Sequence, residues 1–291
     1  MRIRSIKTPQ YFTLDRRYVR RFVRILDDLY HTKRDGVHLN FRKTKVMSRG
    51  DMMVLQAQLE KIEMKKSIKF FFSSLSRGLL NDLFSGDVMR LQKRFSPSEA
   101  KIDADKIQEI DPMIIDNIAK NLKRIGINKN NNEHAAYYER VEALLTEIIG
   151  NAVEHGIRNR DINCWLIIDV DSRKKEVVFT FVDMGEGIVS SHRKGNLSFK
   201  YKLLGDLKIV KDSLFGRLPS STGAIGRGQG LPEIKSIVEK KIVINFELIT
   251  NRVVIDYNNN RFNSKKIPNF AGTYYSWAVT KSCFEEWKNT Q

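Results

Sequence analysis

One stretch of the chain limits the fold more than any other. In residues 137–156, YYERVEALLTEIIGNAVEHG, apolar side chains recur every three or four positions. This is the period of an α-helix, and the apolar positions form a wide face that must pack against a core. The positions on this face are Val141, Leu144, Leu145, Ile148, Ile149, Ala152 and Val153. The segment therefore predicts a long helix packed against a sheet or against other helices.

A polar stripe runs along another face of the same predicted helix. Glu147, Asn151 and Glu154 follow one another at intervals of four and three residues, so their side chains line up. A carboxylate one turn before an amide oxygen can activate a water or hydroxyl and help to hold Mg²⁺ beside phosphates. A solvated polar face gives the same spacing, so the stripe alone leaves both interpretations open.

The residues after this helix predict two paired strands. NCWLIIDVD and EVVFTFVD are rich in β-branched and aromatic residues, and a charged turn separates them. The second run ends in Asp183-Met184-Gly185-Glu186-Gly187. An aspartate at a strand end can accept a hydrogen bond from an amino group such as that of adenine, and glycines let a flat ring approach the backbone. A strand-ending Asx turn is the alternative interpretation.

A glycine-rich loop precedes a further helical pattern, LPEIKSIVEK. Arg227 lies between Gly226 and Gly228, and Gly230 immediately precedes Leu231. Backbone N–H groups at the start of a helix bind anions, because they lack partners within the helix and the helix dipole favours negative charge. No Gly-Lys-Ser/Thr ending follows and no strand precedes, so neither a Walker loop nor a dinucleotide fold is predicted. A phosphate-binding loop and a plain helix-capping turn both remain open.

The order of these pieces resembles the nucleotide-binding boxes of the GHKL ATPases. Glu147 and Asn151 on a helix, then D-x-G-x-G, then G-x-G-x-G-L, then AGTYY match the N, G1, G2 and G3 boxes in sequence. This superfamily includes gyrase, heat-shock chaperones, histidine kinases and mismatch-repair ATPases, which share the Bergerat ATP-binding fold. The resemblance covers roughly residues 115–280 and implies ATP and Mg²⁺ as ligands.

The resemblance also implies a role for each matching residue. Glu147 would be the general base, and Asn151 would hold Mg²⁺ through its side-chain oxygen. Asp183 would accept a hydrogen bond from the adenine amino group. The other nucleotide-binding positions implied are Gly185, Gly187, Gly226, Arg227, Gly228, Gly230, Leu231 and Thr273.

A long segment separates two of these boxes. The 38 residues between Gly187 and Gly226 exceed an ordinary loop, and loops of that length are usually functional or disordered. The resemblance predicts a lid over the triphosphate there. Its Lys208, Lys211 and Arg217 would either approach the γ-phosphate or lie on a solvated helix face.

The branch of the superfamily is predicted from what the sequence lacks. No histidine has the H-E/D-x-x-T/N-P setting of a phosphoacceptor, and we expect no transducer domain after the ATPase region. The compact form resembles the anti-sigma-factor serine kinases. In addition, GVHLNFRKTKVMSRGDMMVLQAQL resembles the strand-to-helix segment of STAS domains, which places Ser48 near their phosphorylatable serine. A STAS-like or other regulatory protein is therefore the expected partner.

Charge and composition limit the binding partners and the cellular location that the sequence predicts. Residues 1–100 hold 22 Lys and Arg against 10 Asp and Glu, and the whole chain has a net charge of +17. The basic third predicts either a solvated face or a surface for nucleic acid, an anionic membrane or an acidic protein. Neither a secretory signal nor an apolar membrane span is visible. Cys164 and Cys283 stand far apart, which argues against zinc motifs and disulfides and favours a cytoplasmic location.

A chain of 291 residues predicts two domains. Residues 1–96 would form a small basic α/β domain, because strand patterns in GVHLNF and SIKFFF flank a helical pattern, and a further helix is predicted over residues 77–95. Residues 97–112, with two prolines, would be a linker. Residues 113–291 would form the ATPase domain, an α/β fold of the two-layer α+β sandwich type.

Three functions remain open from the sequence. The first is a Mg-dependent, ATP-binding signalling switch, ATPase or serine/threonine protein kinase, with an ATP-dependent homodimer left open. The second is a GHKL ATPase that acts on nucleic acid, in DNA maintenance or phage defence, through the basic N-terminal third. The third is a nucleotide-binding regulator without significant turnover.

Overall fold

The computed structural model describes residues 2–73, 88–94, 112–157, 161–194, 203–218, 229–258 and 261–291. Within these ranges helices and strands follow one another and the sheets pack against helices, so the predicted α/β class is confirmed. The predicted linker lies outside the described residues except for Pro112, which begins a helix.

The N-terminal residues 2–73, which we call the N-terminal unit, contain a three-stranded parallel sheet in the order β1-β2-β3. The strands and their two helices are β1 (Ile3–Lys7), α1 (Val19–Tyr30), β2 (Gly36–Asn40), α2 (Arg49–Lys66) and β3 (Lys69–Phe72). Parallel neighbours need a crossover connection, and each helix supplies one. The strands predicted in GVHLNF and SIKFFF, and the helix between them, are confirmed.

The second sheet has five antiparallel strands in the order β4-β5-β6-β8-β7. Its strands are β4 (Val88–Arg94), β5 (Asp161–Asp171), β6 (Glu176–Asp183), β7 (Ile244–Asn258) and β8 (Arg261–Thr280). The helices in this part of the chain are α3 (Pro112–Arg124), α4 (Asn132–Ile157), α5 (Ile188–Lys194), α6 (Asp206–Leu214), α7 (Gly230–Glu239) and α8 (Lys281–Lys288). The predicted hairpin and the helix after the glycine loop are therefore confirmed, as β5–β6 and α7.

Strand β4 corrects part of the sequence interpretation. A helix over residues 77–95 is wrong for Val88–Arg94, which pairs antiparallel with the first half of β5. In VMRLQKR, Met89 and Leu91 alternate with Arg90 and Gln92, the period of a strand. The strand also precedes residue 96, so the five-stranded sheet recruits a segment from before the predicted domain boundary.

The long helix α4 packs as its apolar spacing predicts. Val141, Leu144, Leu145 and Ile148 are fully buried against the five-stranded sheet and its neighbouring helices. Helix α4 spans 26 residues. None of the helices in the described ranges is long and apolar enough to cross a membrane.

Strands β5, β6, β7 and β8 of the second sheet are buried on both faces. Phe181 and Tyr275 point to one face and belong to a core shared with α3, α4 and α7. Their neighbours Val182 and Tyr274 point to the other face and belong to a core shared with α1 and α2 of the N-terminal unit. Successive side chains of a strand alternate between faces, so β5, β6, β7 and β8 each contribute to two cores. The N-terminal unit thus packs on one face of these four strands.

Candidate functional site

Glu147 and Asn151 converge on the first residue of α7. A Cβ atom on Gly230 would lie 2.8 Å from Glu147 Oε2 and 2.9 Å from Asn151 Oδ1. Cβ atoms do not approach other heavy atoms so closely in a packed protein, so glycine lets the start of α7 reach both side chains. The carboxylate, the amide and the N-terminus of a helix therefore meet at one point.

The carboxyl group of Glu147 is half-buried and carries a perturbed pKa. Burial raises the pKa above its ordinary value, and the negative charge of Glu233, in the first turn of α7, raises it further. A raised pKa increases the strength of a carboxylate as a proton acceptor, provided the group is ionised at the working pH. Glu147 is suited to the role of a general base.

Asn151 is half-buried and contributes a side-chain amide, with a buried Nδ2 atom, to the same point. Its Nδ2 atom has no hydrogen-bond partner within the described ranges. Its Oδ1 is an oxygen ligand of the kind that Mg²⁺ prefers. No group of three His, Cys, Asp or Glu side chains able to hold a metal is found among the described residues.

Asp183 and Thr273 are direct partners across strands β6 and β8. Both are buried, with 9% of Asp183 and 5% of Thr273 exposed. The side chains of antiparallel partners stand on the same face with Cβ atoms about 4.5–5.5 Å apart. Two residues from distant boxes of the sequence pattern therefore lie side by side, on the face that α4 covers.

The turn after Asp183 has a defined hydrogen bond. The N–H of Gly185 donates to Asp183 Oδ1 at 2.8 Å, so the strand-ending Asx turn considered from the sequence is present. This turn is compatible with adenine binding, since an ionised carboxyl group has about four acceptor positions. A Cβ on Gly185 would lie 2.8 Å from the same oxygen, which explains the glycine.

Two further glycines allow close backbone approaches. Gly187 has φ +82°, and a Cβ there would lie 2.5 Å from Asn251 Oδ1. Gly272 has φ +108°, and a Cβ there would lie 2.1 Å from the carbonyl oxygen of Asp183. Positive φ favours glycine at both positions. The contact at Gly272 brings the backbone of β8 against the Asp183 turn.

Thr250 and Asn251 of β7 contribute to the site region, and the sequence analysis missed both. Thr250 Oγ1 accepts a hydrogen bond from the N–H of Ile188 at 2.9 Å, and Asn251 Oδ1 accepts one from Val189 at 3.0 Å. They cap the N-terminus of α5, directly after Gly187. Capping signals in sequence are local, whereas these caps come from a strand far along the chain.

Helix α2 reaches the Asp183 turn from the N-terminal unit, which the sequence analysis also missed. Lys61 Nζ donates to the carbonyl oxygens of Met184 at 2.6 Å and Gly185 at 2.9 Å. Gln58, one turn earlier, donates from Nε2 to the carbonyl oxygen of Ala271 at 2.7 Å. The two segments that carry Asp183 and Thr273 are therefore tied to one helix. A lysine near the end of a helix gives no sequence signal for such a contact.

Of the predicted phosphate loop, the described residues include Gly230 and Leu231. Gly230 begins α7, and Leu231 packs against the core that the five-stranded sheet shares with α3, α4 and α7. Gly226, Arg227 and Gly228 lie outside the described residues, and their predicted role in phosphate binding stays a prediction.

Helix α6 lies within the predicted lid. Lys208 Nζ pairs with Asp212 at 2.7 Å, and Arg217 Nη1 lies 3.7 Å from the same carboxyl group. Lys211 lines a cavity of about 800 Å³ together with these three residues. Two of the three candidate γ-phosphate cations are thus engaged with an aspartate on their own segment.

Ser48, which the STAS resemblance points to, is the exposed N-cap of α2. Its hydroxyl accepts from the N–H of Asp51 at 3.0 Å, and its backbone N–H donates to Asp51 Oδ2 at 2.8 Å, forming a capping box. Asp51 is buried and also accepts from the N–H of Leu14 at 2.8 Å. The cap accounts for the serine in structural terms, and its phosphorylation stays a prediction.

Comparisons with family models, curated proteins and solved structures found no match to this chain.

Proposed function

We propose that this chain binds Mg·ATP between α4, the start of α7 and the Asp183–Thr273 pair, and that it acts as a GHKL-type signalling switch, ATPase or serine/threonine kinase. The observation that supports the proposal is the convergence of Glu147 and Asn151 on Gly230. A base, an oxygen ligand for a cation and a helix N-terminus at one point are the groups that phosphoryl transfer needs.

Asp183 and Thr273 are the proposed adenine-binding residues. The Asp183 carboxylate would accept a hydrogen bond from the exocyclic amino group, and the Thr273 hydroxyl beside it can donate or accept. Recognition of one amino group by a buried carboxylate discriminates strongly, because a base without that group lacks this hydrogen bond to the carboxylate.

Glu147 is the proposed proton acceptor. It would take the proton of a water or hydroxyl as that oxygen bonds to the γ-phosphorus and the bond to the leaving ADP oxygen breaks. The amides at the start of α7 and the Asn151 oxygen would orient the phosphates and the cation. Bound Mg²⁺ would neutralise charge that develops on the phosphate oxygens.

Isothermal titration with ATP and Mg²⁺ tests the proposal. We expect saturable binding by the wild type, and binding weakened by roughly tenfold to a hundredfold in Asp183→Asn, because a hydrogen bond to a charged group is lost. Asp116→Asn on α3 is the matched control, since Asp116 is exposed. No binding by the wild type, or equal binding by Asp183→Asn, would reject this site.

A specific surface supports nucleic-acid binding as a second candidate function. The rings of Tyr11 and Tyr18 stack at 4.7 Å between centroids, and the guanidinium of Arg17 lies 5.7 Å from the Tyr18 ring. Exposed arginines follow on α1, namely Arg20, Arg21 and Arg24. Stacking aromatics beside cations are the groups that bind single-stranded nucleic acid.

Salt dependence tests this second function. We expect the affinity for a fluorescent single-stranded oligonucleotide to fall by about tenfold or more between 50 and 200 mM salt. Replacing Arg20, Arg21 and Arg24 with glutamine would remove most of this dependence. A matched triple substitution of exposed lysines elsewhere, Lys120, Lys123 and Lys240, is the control. Equal losses in the two triple variants would exclude the α1 surface.

A further inference from the structure

We propose that Lys61 is a positioning residue for nucleotide binding, which fixes the backbone of the Asp183 turn from the opposite side of the five-stranded sheet. This inference rests on the proposed function. It adds that the N-terminal unit contributes directly to the affinity of the site, although the nucleotide-binding boxes all lie in the later part of the chain.

The geometry of the lysine supports a positioning role. Its Nζ atom contacts the carbonyl oxygens of two successive residues, Met184 and Gly185, at 2.6 and 2.9 Å. Two carbonyl groups held by one ammonium fix the peptide unit between them. The N–H of that unit, on Gly185, is the donor to Asp183 Oδ1. The lysine therefore orients the peptide that in turn orients the Asp183 carboxylate.

The surroundings of Lys61 strengthen these hydrogen bonds. Burial lowers its pKa to about 8, with a further decrease from Lys65, whereas Asp183 and Glu186 act in the opposite direction. The ammonium is therefore retained at pH 7. Charge-assisted hydrogen bonds in partly buried surroundings are stronger than neutral bonds in water.

Side-chain packing provides a second contact that holds the Asp183 turn in place. Met184 packs against the core that the N-terminal unit shares with the sheet. Its carbonyl oxygen is thus held by Lys61 and its side chain by this shared core. A displacement of α2 would move the backbone that carries Asp183.

Helix α2 also holds strand β8, which carries Thr273. Gln58 is fully buried; its Oε1 accepts from the Tyr30 hydroxyl at 3.0 Å and its Nε2 donates to Ala271 at 2.7 Å. Ala271 immediately precedes Gly272 and Thr273. Two residues one turn apart on α2 therefore hold both segments of the proposed adenine-binding pair.

A titration series with four proteins tests the inference: wild type, Lys61→Met, Lys61→Arg and Lys65→Met. Lys65 is an exposed lysine one turn later on the same helix, so it is the matched control. We expect Lys61→Met to raise the Kd for Mg·ATP by about tenfold or more, Lys61→Arg to restore part of the affinity, and Lys65→Met to leave it unchanged. Turnover at saturating ATP would stay within about twofold, because Glu147 lies on another segment.

Hydrogen exchange of the ligand-free proteins supplies a second readout. The amides of residues 184–187 would exchange faster in Lys61→Met than in Lys65→Met, while the amides of α4 would exchange at equal rates in both. A uniform increase across the protein would mean that Lys61 is merely a structural tether, and would overturn the inference.

The outcomes separate the two proposals. If the wild type binds Mg·ATP and a folded Lys61→Met binds it equally well, the positioning role is wrong and the proposed function stands. If the wild type does not bind Mg·ATP, the proposed function is wrong and the positioning role fails with it. Should Lys61→Met not fold, Lys61→Arg decides the matter, because the positioning role requires of it an affinity below that of the wild type and faster exchange confined to residues 184–187.

Discussion

The two halves of the proposed site differ in how their polar groups are satisfied. Around Asp183 and Thr273, the backbone is held by the Asx turn, by Gln58 and by Lys61. Around Glu147 and Asn151, the carboxyl pKa is raised and Nδ2 of Asn151 has no partner in the described ranges. The first half is organised before a ligand arrives, as a recognition site requires. The second half keeps groups whose charge and hydrogen bonds a ligand would complete.

The largest expected effect is on turnover, and it concerns the half of the site around Glu147 and Asn151. Glu147→Gln keeps the size of the side chain but removes the proton acceptor, so turnover would fall by about 10²–10⁴ while the Kd for Mg·ATP changes little. Steady-state rates and titration measure the two quantities separately. Glu139→Gln, an exposed site on the same helix, is the control. Undiminished turnover in Glu147→Gln would remove the residue from the chemistry.

The next largest effect is on the free energy of unfolding, and it concerns the half of the site around Asp183 and Thr273. Gly272→Ala would lower the free energy of unfolding by about 3 kcal/mol or more, because the new methyl meets the Asp183 carbonyl and alanine is strained at this φ. Denaturant unfolding measures the change. Gly150→Ala, on α4 with open space around its Cβ, would instead stabilise by about 0.5–1 kcal/mol. Similar changes in both variants would contradict the close approach at Gly272.

A smaller effect separates activity from stability. Gly230→Ala would displace the ends of Glu147 and Asn151 and reduce turnover by roughly tenfold to a hundredfold, since small misplacements of reacting groups are costly. The same change adds a better helix former to α7, so we expect little loss of thermal stability. A large drop in melting temperature would show that position 230 serves the fold rather than the site.

The smallest effect is a shift in pH dependence. Since burial and Glu233 raise the pKa of Glu147, turnover would fall on acidification at a higher pH than for an ordinary glutamate. Glu233→Gln removes one of the two causes and would move this acidic limb to lower pH. An unchanged limb would mean that another group controls it.

Periodicity predicted the elements of the fold, but not the contacts between distant ones. The spacing of Val141, Leu144 and Ile148 was sufficient for α4, and the β-branched and aromatic run VVFTFV was sufficient for one strand of the β5–β6 hairpin. What covers the second face could not be inferred, because side-chain contacts such as that of Lys61 with Gly185 join segments far apart in sequence. Strand β4 was not predicted because a short run of mixed apolar and polar residues, such as VMRLQKR, fits both the helical period and the strand period.

The alternation of Val182 with Asp183, and of Tyr274 with Thr273, has a consequence for how this protein could be divided. A chain that began after residue 73 would expose the apolar face that now carries Trp165, Val182 and Tyr274 to water. An exposed sheet face of this kind promotes aggregation. The N-terminal unit is therefore not an interchangeable module that recombination could replace freely, since any substitute would have to match the reverse side of the strands that form the site.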